Sequence, residues 1–483
     1  MYSIGAFRKR SFPGFLKAIS FPAEPSNEVA QNVSKRIDSM MLNSSTQGGT
    51  PKLSTDSTTA DFEKNDDDVV ITGLGVVSPI GIGKDAVWQS LKEKKTGVSL
   101  RPEWANSPLS LAATVADSFD PRQYIKPRKS LKVMCREIQL GVAAAGLAVD
   151  DAAIDLEALD PFRIGVVLGT DIMHCPPGEL AEAYQSCLVD GIFDFKLWFE
   201  QAQRKLNPLF MLKYLPNMAA SHVAIAQNAQ GPCNTLVMGE ISGLLSVMEA
   251  ADVVASGRAD VMLAGGSGCG VNLTTIVFHG TERLAQTETE PVLHPAPFDL
   301  NREGTVVGEG AGVLVLERRD AATQRGARIY GSVAGYSRGM TRPSKNQRVE
   351  GQSFTLKDAL KRGRLEVKDL DHVNATGHAS EIADQNEASA IQNVLGDCPV
   401  VAPSSYFGTL SAASSAVQLL ISLVAAEQGV RPATLNYATP DEYCPVRVST
   451  EVEAIQNPAF VKLASTHTGQ TAAMAIRLEN QFR

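Results

Sequence analysis

Short apolar runs closed by glycine or charge predict buried strands at Val69 to Val77, Arg163 to Leu168, Asp260 to Gly265 and Val313 to Glu317. Ahead of the third run the period changes: Ile241, Leu244, Leu245, Met248, Ala251 and Ala255 recur at helical spacing and predict a core helix. No stretch approaches about 18 consecutive apolar residues, so no membrane-spanning helix is expected.

The segment GPCNTLVMGEISGLLSVMEAADVVASGRADVMLAGGSG, from Gly231 to Gly268, reads as strand, small-residue turn, helix and second strand. That layout predicts a nucleophile elbow, a tight turn that presents one side chain at a helix N-terminus, where the dipole steadies negative charge. The side chain presented here is Glu240. A carboxylate is a weak nucleophile and its acyl product would be an anhydride prone to hydrolysis, so acyl transfer is not expected.

Composition adds few constraints. Hydrophobic residues at 44% and charged residues at 20% over 483 residues fit a well-cored soluble chain, and a net charge of -8 gives no reason to expect a nucleic-acid partner. The 7 cysteines are scattered, without a CxxC pair or zinc spacing, which argues for a reducing compartment and against a metal site. Cys233 falls on the elbow's incoming strand rather than at its tip and reads as structural. Residues 1–66 stand apart: a basic start with no acid before Glu24, a Ser/Thr/Asn/Gly-rich stretch, then the acidic run DFEKNDDD. They are expected to form a disordered or targeting extension. A cytoplasmic location is expected, with organelle targeting by this segment as the alternative.

Five stretches carry a family resemblance: DDVVITGLGVVSPIGIG from Asp67, YIKPRKSLKVMCREIQLGVAAAGLAVDDA from Tyr124, LNPLFMLKYLPNMAASHVAI from Leu206, ADVMLAGG ending at Gly266, and FDLNREGTVVGEGAGVLVLERRDAATQRGARIYGSVAGY from Phe298. Over about residues 67 to 480 the chain resembles the β-ketoacyl-acyl-carrier-protein synthases, condensing enzymes of the thiolase superfamily. The resemblance implies an α/β fold, a thiolase-like five-layered α-β-α-β-α sandwich of two pseudo-duplicated halves. These would be residues 67–320 and 321–483, sharing one active-site crevice.

The family's reactive set does not carry over. Members place a cysteine at the elbow, where this chain has Glu240, and a first histidine in an AHGT segment, where NATGHASEIADQNEASAI puts Thr376 with His378 at the usual threonine. At the family's lysine and second histidine, VVAPSSYFGTLSAASSAVQLL puts Ser404 and Thr409, while Asp384 and Glu387 match its helix-opening acidic pair. In place of the glycine-rich gate with its aromatic stand Thr466, His467, Thr468 and Gly469. Condensation needs a thiolate as nucleophile and leaving group, and donors aimed at the developing enolate, each worth about 3 kcal/mol. With these positions replaced, neither condensation nor decarboxylation is expected.

His378 lies two positions from the lost histidine, and catalytic geometry tolerates only about 0.5 Å, so it reads as structural before it reads as a displaced base. His174, His222, His279, His294, His372 and His467 form no interpretable spacing. The resemblance points to a noncatalytic subunit like the chain-length factors. It implies no cofactor, and as partners an active ketosynthase in a heterodimer, or a second copy, and acyl carrier protein. Two alternatives stand beside it: an enzyme acting on acyl thioesters through Glu240 with His378 or Asp384 as base, and a scaffold that binds acyl carrier protein. Phe193, Phe195, Trp198 and Phe199, in the stretch from His174 to Lys205, are expected at the substrate tunnel or an interface, or as a cap on the chain's own core.

Overall fold

The computed structural model describes residues 65–479, apart from 106, 282, 286–294 and 343. The expectations for the N-terminal extension up to residue 64, and His294, lie outside the described residues.

Two sets of five strands carry the fold. The first comprises β1 (Val69–Ser78), β2 (Ile164–Gly169), β3 (Cys233–Leu236), β4 (Val261–Cys269) and β5 (Val307–Arg318), side by side in the order β3-β2-β4-β5-β1. The second comprises β6 (Gly331–Met340), β7 (Leu370–Asn374), β8 (Val400–Val401), β9 (Ala459–Ser465) and β10 (Gln470–Leu478), in the order β8-β7-β9-β10-β6. The pairings repeat. β1 with β5 and β5 with β4 are antiparallel, then β4 with β2 and β2 with β3 parallel. Likewise β6 with β10 and β10 with β9 are antiparallel, then β9 with β7 and β7 with β8 parallel. The sets join where Val70 and Ile71 of β1 pair with Ser332 and Gly331 of β6. One topology is thus used twice, as the expected pseudo-duplication requires.

Helices supply the remaining layers. Helix α1 (Arg136–Ala152) covers β1, β4 and β5. Helix α2 (Ser242–Ala255) packs on β2, β4 and β5 and also reaches β6 and β10. Helix α3 (Lys345–Gly363) covers β6, β9 and β10, with α4 (Glu381–Leu395) beside it. Helix α5 (Ser414–Glu427) packs on α2 and on β1, β4, β5 and β7. Residues of α2 and α5 are buried on nearly every face, as a helix apolar all round must be. They form the middle layer of a thiolase-like sandwich of helix, sheet, helix pair, sheet and helix.

Two strands outrun the apolar patterns that predict them. β5 starts at Val307 rather than Val313, and β4 continues to Cys269 rather than stopping at Gly265. Glycine here marks close approach instead of a strand end. A Cβ on Gly265 would come 1.9 Å from the Gly312 carbonyl oxygen, and one on Gly312 would come 2.7 Å from Leu420 of α5. Among the described residues no helix is long and apolar enough to cross a membrane.

Candidate functional site

The elbow forms where β3 runs into α2. Gly239, at φ +62°, makes the turn in the left-handed region that favours glycine, and a single 3-10 turn over Gly239–Ile241 leads straight into the helix. Ser242 fastens it: the Met238 amide donates to Oγ at 2.8 Å and Oγ donates to the Gly239 carbonyl at 2.7 Å. At the tip, Glu240 faces a cavity of about 390 Å³ whose wall also carries Arg283, His378, Thr409, Thr466 and His467.

Arg283 joins three parts of this wall. Its Nη1 lies 3.5 Å from Glu240 Oε1 and 2.7 Å from His467 Nδ1. Burial pushes the Glu240 carboxyl up, but His378, Arg283, the backbone N–H of Glu240 itself and His467 outweigh burial, and the group lies below the usual carboxylate range. Glu240 is therefore an ionised carboxylate. His467 is held below the ordinary imidazole value, first by burial and then by Arg283, which leaves its neutral Nδ1 free to accept from the guanidinium.

The other positions divide. Thr409 lines the cavity; its Oγ1 accepts from the Ser411 amide at 3.3 Å and lies 3.4 Å from Ser414 Oγ. Thr409 stands on the cavity wall, where the loop after β8 turns back at Gly408 against Val306. Thr376 turns inward: its Oγ1 donates to the Leu463 carbonyl at 3.3 Å and accepts from the Ser465 amide at 3.0 Å. Ser404 is buried and donates to the Gly377 carbonyl at 2.5 Å. His378 lines the cavity, and its Nε2 bonds the Ser465 carbonyl at 3.1 Å. Thr466, His467 and Thr468 line the cavity from the turn between β9 and β10, and Gly469 bonds the Thr466 carbonyl beneath them.

Asp384 is not placed to act as a base in this cavity. It is fully buried, accepts from the Phe298 amide at 2.9 Å and lies 3.7 Å from Arg302; burial pushes it up to about 7. A triad-like set elsewhere is equally shut away: His372 bonds Asp371 through Nδ1 and Ser422 through Nε2, each at 2.9 Å, with all three side chains buried.

A second cavity, about 650 Å³, shares Asp171, Ile172, Thr275 and Ser411 with the first. Phe193, Phe195, Trp198 and Phe199 line neither of these two cavities. Trp198 instead covers a small cluster of Ala183, Cys187 and Ala202, while Phe195 and Phe199 are each 75% exposed. Sequence reasoning missed Arg283 and the fully buried Lys462, whose Nζ donates to Gln418 Oε1 at 2.7 Å and to the Ala375 carbonyl at 3.1 Å. A lysine inside the apolar run AFVKLA was the available signal for the latter.

Comparison with known proteins agrees with this geometry. Residues 66–322 match the model of the beta-ketoacyl synthase N-terminal domain and residues 327–438 that of its C-terminal domain. The chain is similar to 3-oxoacyl-acyl-carrier-protein synthase 2 of Coxiella burnetii, with 31% identity over 388 residues, 78% of this chain and 90% of that protein. Among solved structures it resembles the ishigamide ketosynthase/chain length factor, with a TM-score of 0.74, 26% identity, 86% of this chain and 99% of that one. It also resembles a type II PKS ketosynthase in complex with its acyl-carrier protein, with a TM-score of 0.71, 26% identity and the same coverage. With an elbow at the start of a buried middle helix, a duplicated sheet topology and both domain models matched, the chain belongs to the beta-ketoacyl synthase family.

Proposed function

We propose that this chain is a noncatalytic ketosynthase-like subunit that pairs with an intact ketosynthase, in the manner of a chain-length factor, and meets acyl carrier protein in fatty-acid or polyketide synthesis. The observation that carries the reading is the placement of Glu240 at the elbow tip, beside Arg283. An ionised carboxylate fills the nucleophile's place, faces the backbone N–H that an elbow offers to an oxyanion, and is tied to Arg283. A thioester entering the cavity would meet negative charge where enolate charge has to develop. The neighbouring positions offer a hydroxyl turned into the fold at Thr376 and one on the wall at Thr409.

The partnership rests on surface. β3 is an edge strand whose outer side pairs with nothing among the described residues, and Val237 and Met238 just beyond it are exposed. Such an edge is a template for a second chain. The likeness to a ketosynthase/chain length factor supports a heterodimer, and the likeness to a ketosynthase bound to its acyl-carrier protein supports the carrier as partner. Coexpression with an intact ketosynthase from the same organism should give a one-to-one complex by light scattering. That complex should condense acyl and malonyl carrier-protein thioesters, and this chain alone should not. Separate homodimers, or condensation by the isolated chain, would overturn the reading.

One observation favours a second reading. Glu240, His378 and His467 face a single cavity, an arrangement in which a carboxylate draws a proton from water attacking a thioester. Hydrolysis of acyl thioesters above background, lost in Glu240→Gln, would put this reading first.

A further inference from the structure

The second cavity lies alongside the Glu240 cavity but has a different chemistry. Its hydrocarbon surface comes from Leu131, Met134, Met173 and Leu273, and its inner wall carries Glu137 and Asp171. The Asp171 amide donates to Glu137 Oε1 at 3.3 Å. Glu137 is 5% exposed, and its Oε2 has no hydrogen-bond partner among the described residues although the side chain faces the cavity. Burial, then the Asp171 charge, pushes the Glu137 carboxyl well above its ordinary value.

The cations around this cavity are already engaged. Arg136 is bonded to both oxygens of Glu309, at 3.0 and 2.8 Å. Lys213 holds Glu179 at 2.6 Å, and Arg101 holds Glu103 at 2.6 Å. Asp171 has only neutral donors: Ser411 Oγ at 2.7 Å on Oδ2 and the Ile172 amide at 2.9 Å on Oδ1. His174, near the rim, is held below the ordinary imidazole value by burial and then by His279, so it supplies no cation.

From this geometry we propose that the second cavity is a binding site for an aliphatic primary ammonium ion. The ammonium group, a compact charge with three donors, sits between the Asp171 and Glu137 carboxyls, and its alkyl part lies against Met134 and Met173. As it binds, the Glu137 proton leaves to solvent, so one cation replaces one proton and the wall stays balanced. Neither the pairing with a ketosynthase nor the silence of Glu240 is needed for this site.

The test uses the full-length protein, n-pentylammonium chloride and 1-pentanol as its neutral match. Calorimetry at pH 8 should show the amine binding at least tenfold more tightly than the alcohol, with an observed enthalpy that varies linearly with the buffer's ionisation enthalpy, as proton release requires. Asp171→Asn, with an unchanged melting curve, should bring amine and alcohol to within about twofold. In protein carrying labelled methionine methyls, the amine should shift Met134 and Met173 on this cavity and leave Met238 on the other wall in place. Equal binding of amine and alcohol by the unaltered protein overturns the proposal without recourse to any variant. So does a shift confined to Met238, which would put the amine beside Glu240.

Discussion

Glu387 holds Thr376 by the main chain: the Thr376 amide donates to Oε1 at 2.7 Å, and the following amide of Gly377 donates to Oε2 at 2.9 Å. The buried carboxylate therefore fixes the loop whatever side chain stands at this position. The threonine hydroxyl is then free to close a different bond, between β7 and β9, through Leu463 and Ser465.

A cysteine at the elbow is accordingly not enough. Glu240→Cys should give a thiol that iodoacetamide alkylates, read as a mass shift, yet no condensation product from acyl and malonyl carrier-protein thioesters. Nucleophile and donors act as a unit whose effects are grossly non-additive. Condensation restored by this single change would mean that His378 or Thr409 already supplies the donors.

Arg283→Gln should matter most at neutral pH. Glu240 is depressed in the folded chain, so its contribution is present above the unfolded carboxylate value of about 4.3 and is lost as pH falls through the lower folded value. The wild-type advantage over the variant should be below about 1 kcal/mol at pH 7, because the arginine side chain is 35% exposed, and should shrink as pH falls through the lowered folded value. His467 should titrate at a higher pH in the variant, since burial remains but the guanidinium does not. Urea melts over the acidic range and imidazole NMR check both; an advantage that does not change with pH would assign Arg283 a packing role instead.

The parts of the site that were legible are those carried by local pattern. β1, β2 and α2 stand within a residue or two of their apolar runs because buried elements must be apolar whatever lies beside them. β4 and β5 were read short because Gly265 and Gly312 look like strand ends and are instead contact points between layers. Arg283 had no such signature: it lies on a loop, and only the approach of the β9–β10 turn makes it a neighbour of Glu240 and His467. Glu137 reads as an ordinary polar position early in α1, and Asp171 as a strand-end acid, until the fold sets them against one cavity.

The aromatic stretch divides into an interior and an exterior half. Trp198 lies 5.2 Å from Tyr184, ring to ring, and covers Ala183, Cys187 and Ala202, so Trp198→Ala should cost about 2 kcal/mol in urea unfolding. Phe195→Ala and Phe199→Ala should stay within about 0.5 kcal/mol, since both rings stand in solvent. Their effect should appear as weaker association with the ketosynthase. Unchanged affinity in the double variant would remove these two rings from the interface.

Lys462 sets the pH at which the core is most comfortable. Its amine is fully buried, bonded to Gln418 Oε1 and the Ala375 carbonyl; burial, opposed by the Glu387 charge, brings it down to about 7. In the unfolded chain the same amine holds its proton to about 10.4, so between these values the unfolded state binds more protons and stability rises with pH. Below pH 7 both states are protonated and the slope disappears. Relative to Lys462→Met, which titrates nothing at this position, the wild-type protein should gain up to about 1.4 kcal/mol per pH unit from pH 7.5 to 9.5. The variant itself should be less stable at pH 9.5, because methionine leaves the Gln418 and Ala375 oxygens without their donor. Urea melts of both proteins at pH 6.5, 8 and 9.5 give the comparison. A difference constant across that range would mean that the amine keeps its proton inside the fold, with Glu387 outweighing burial.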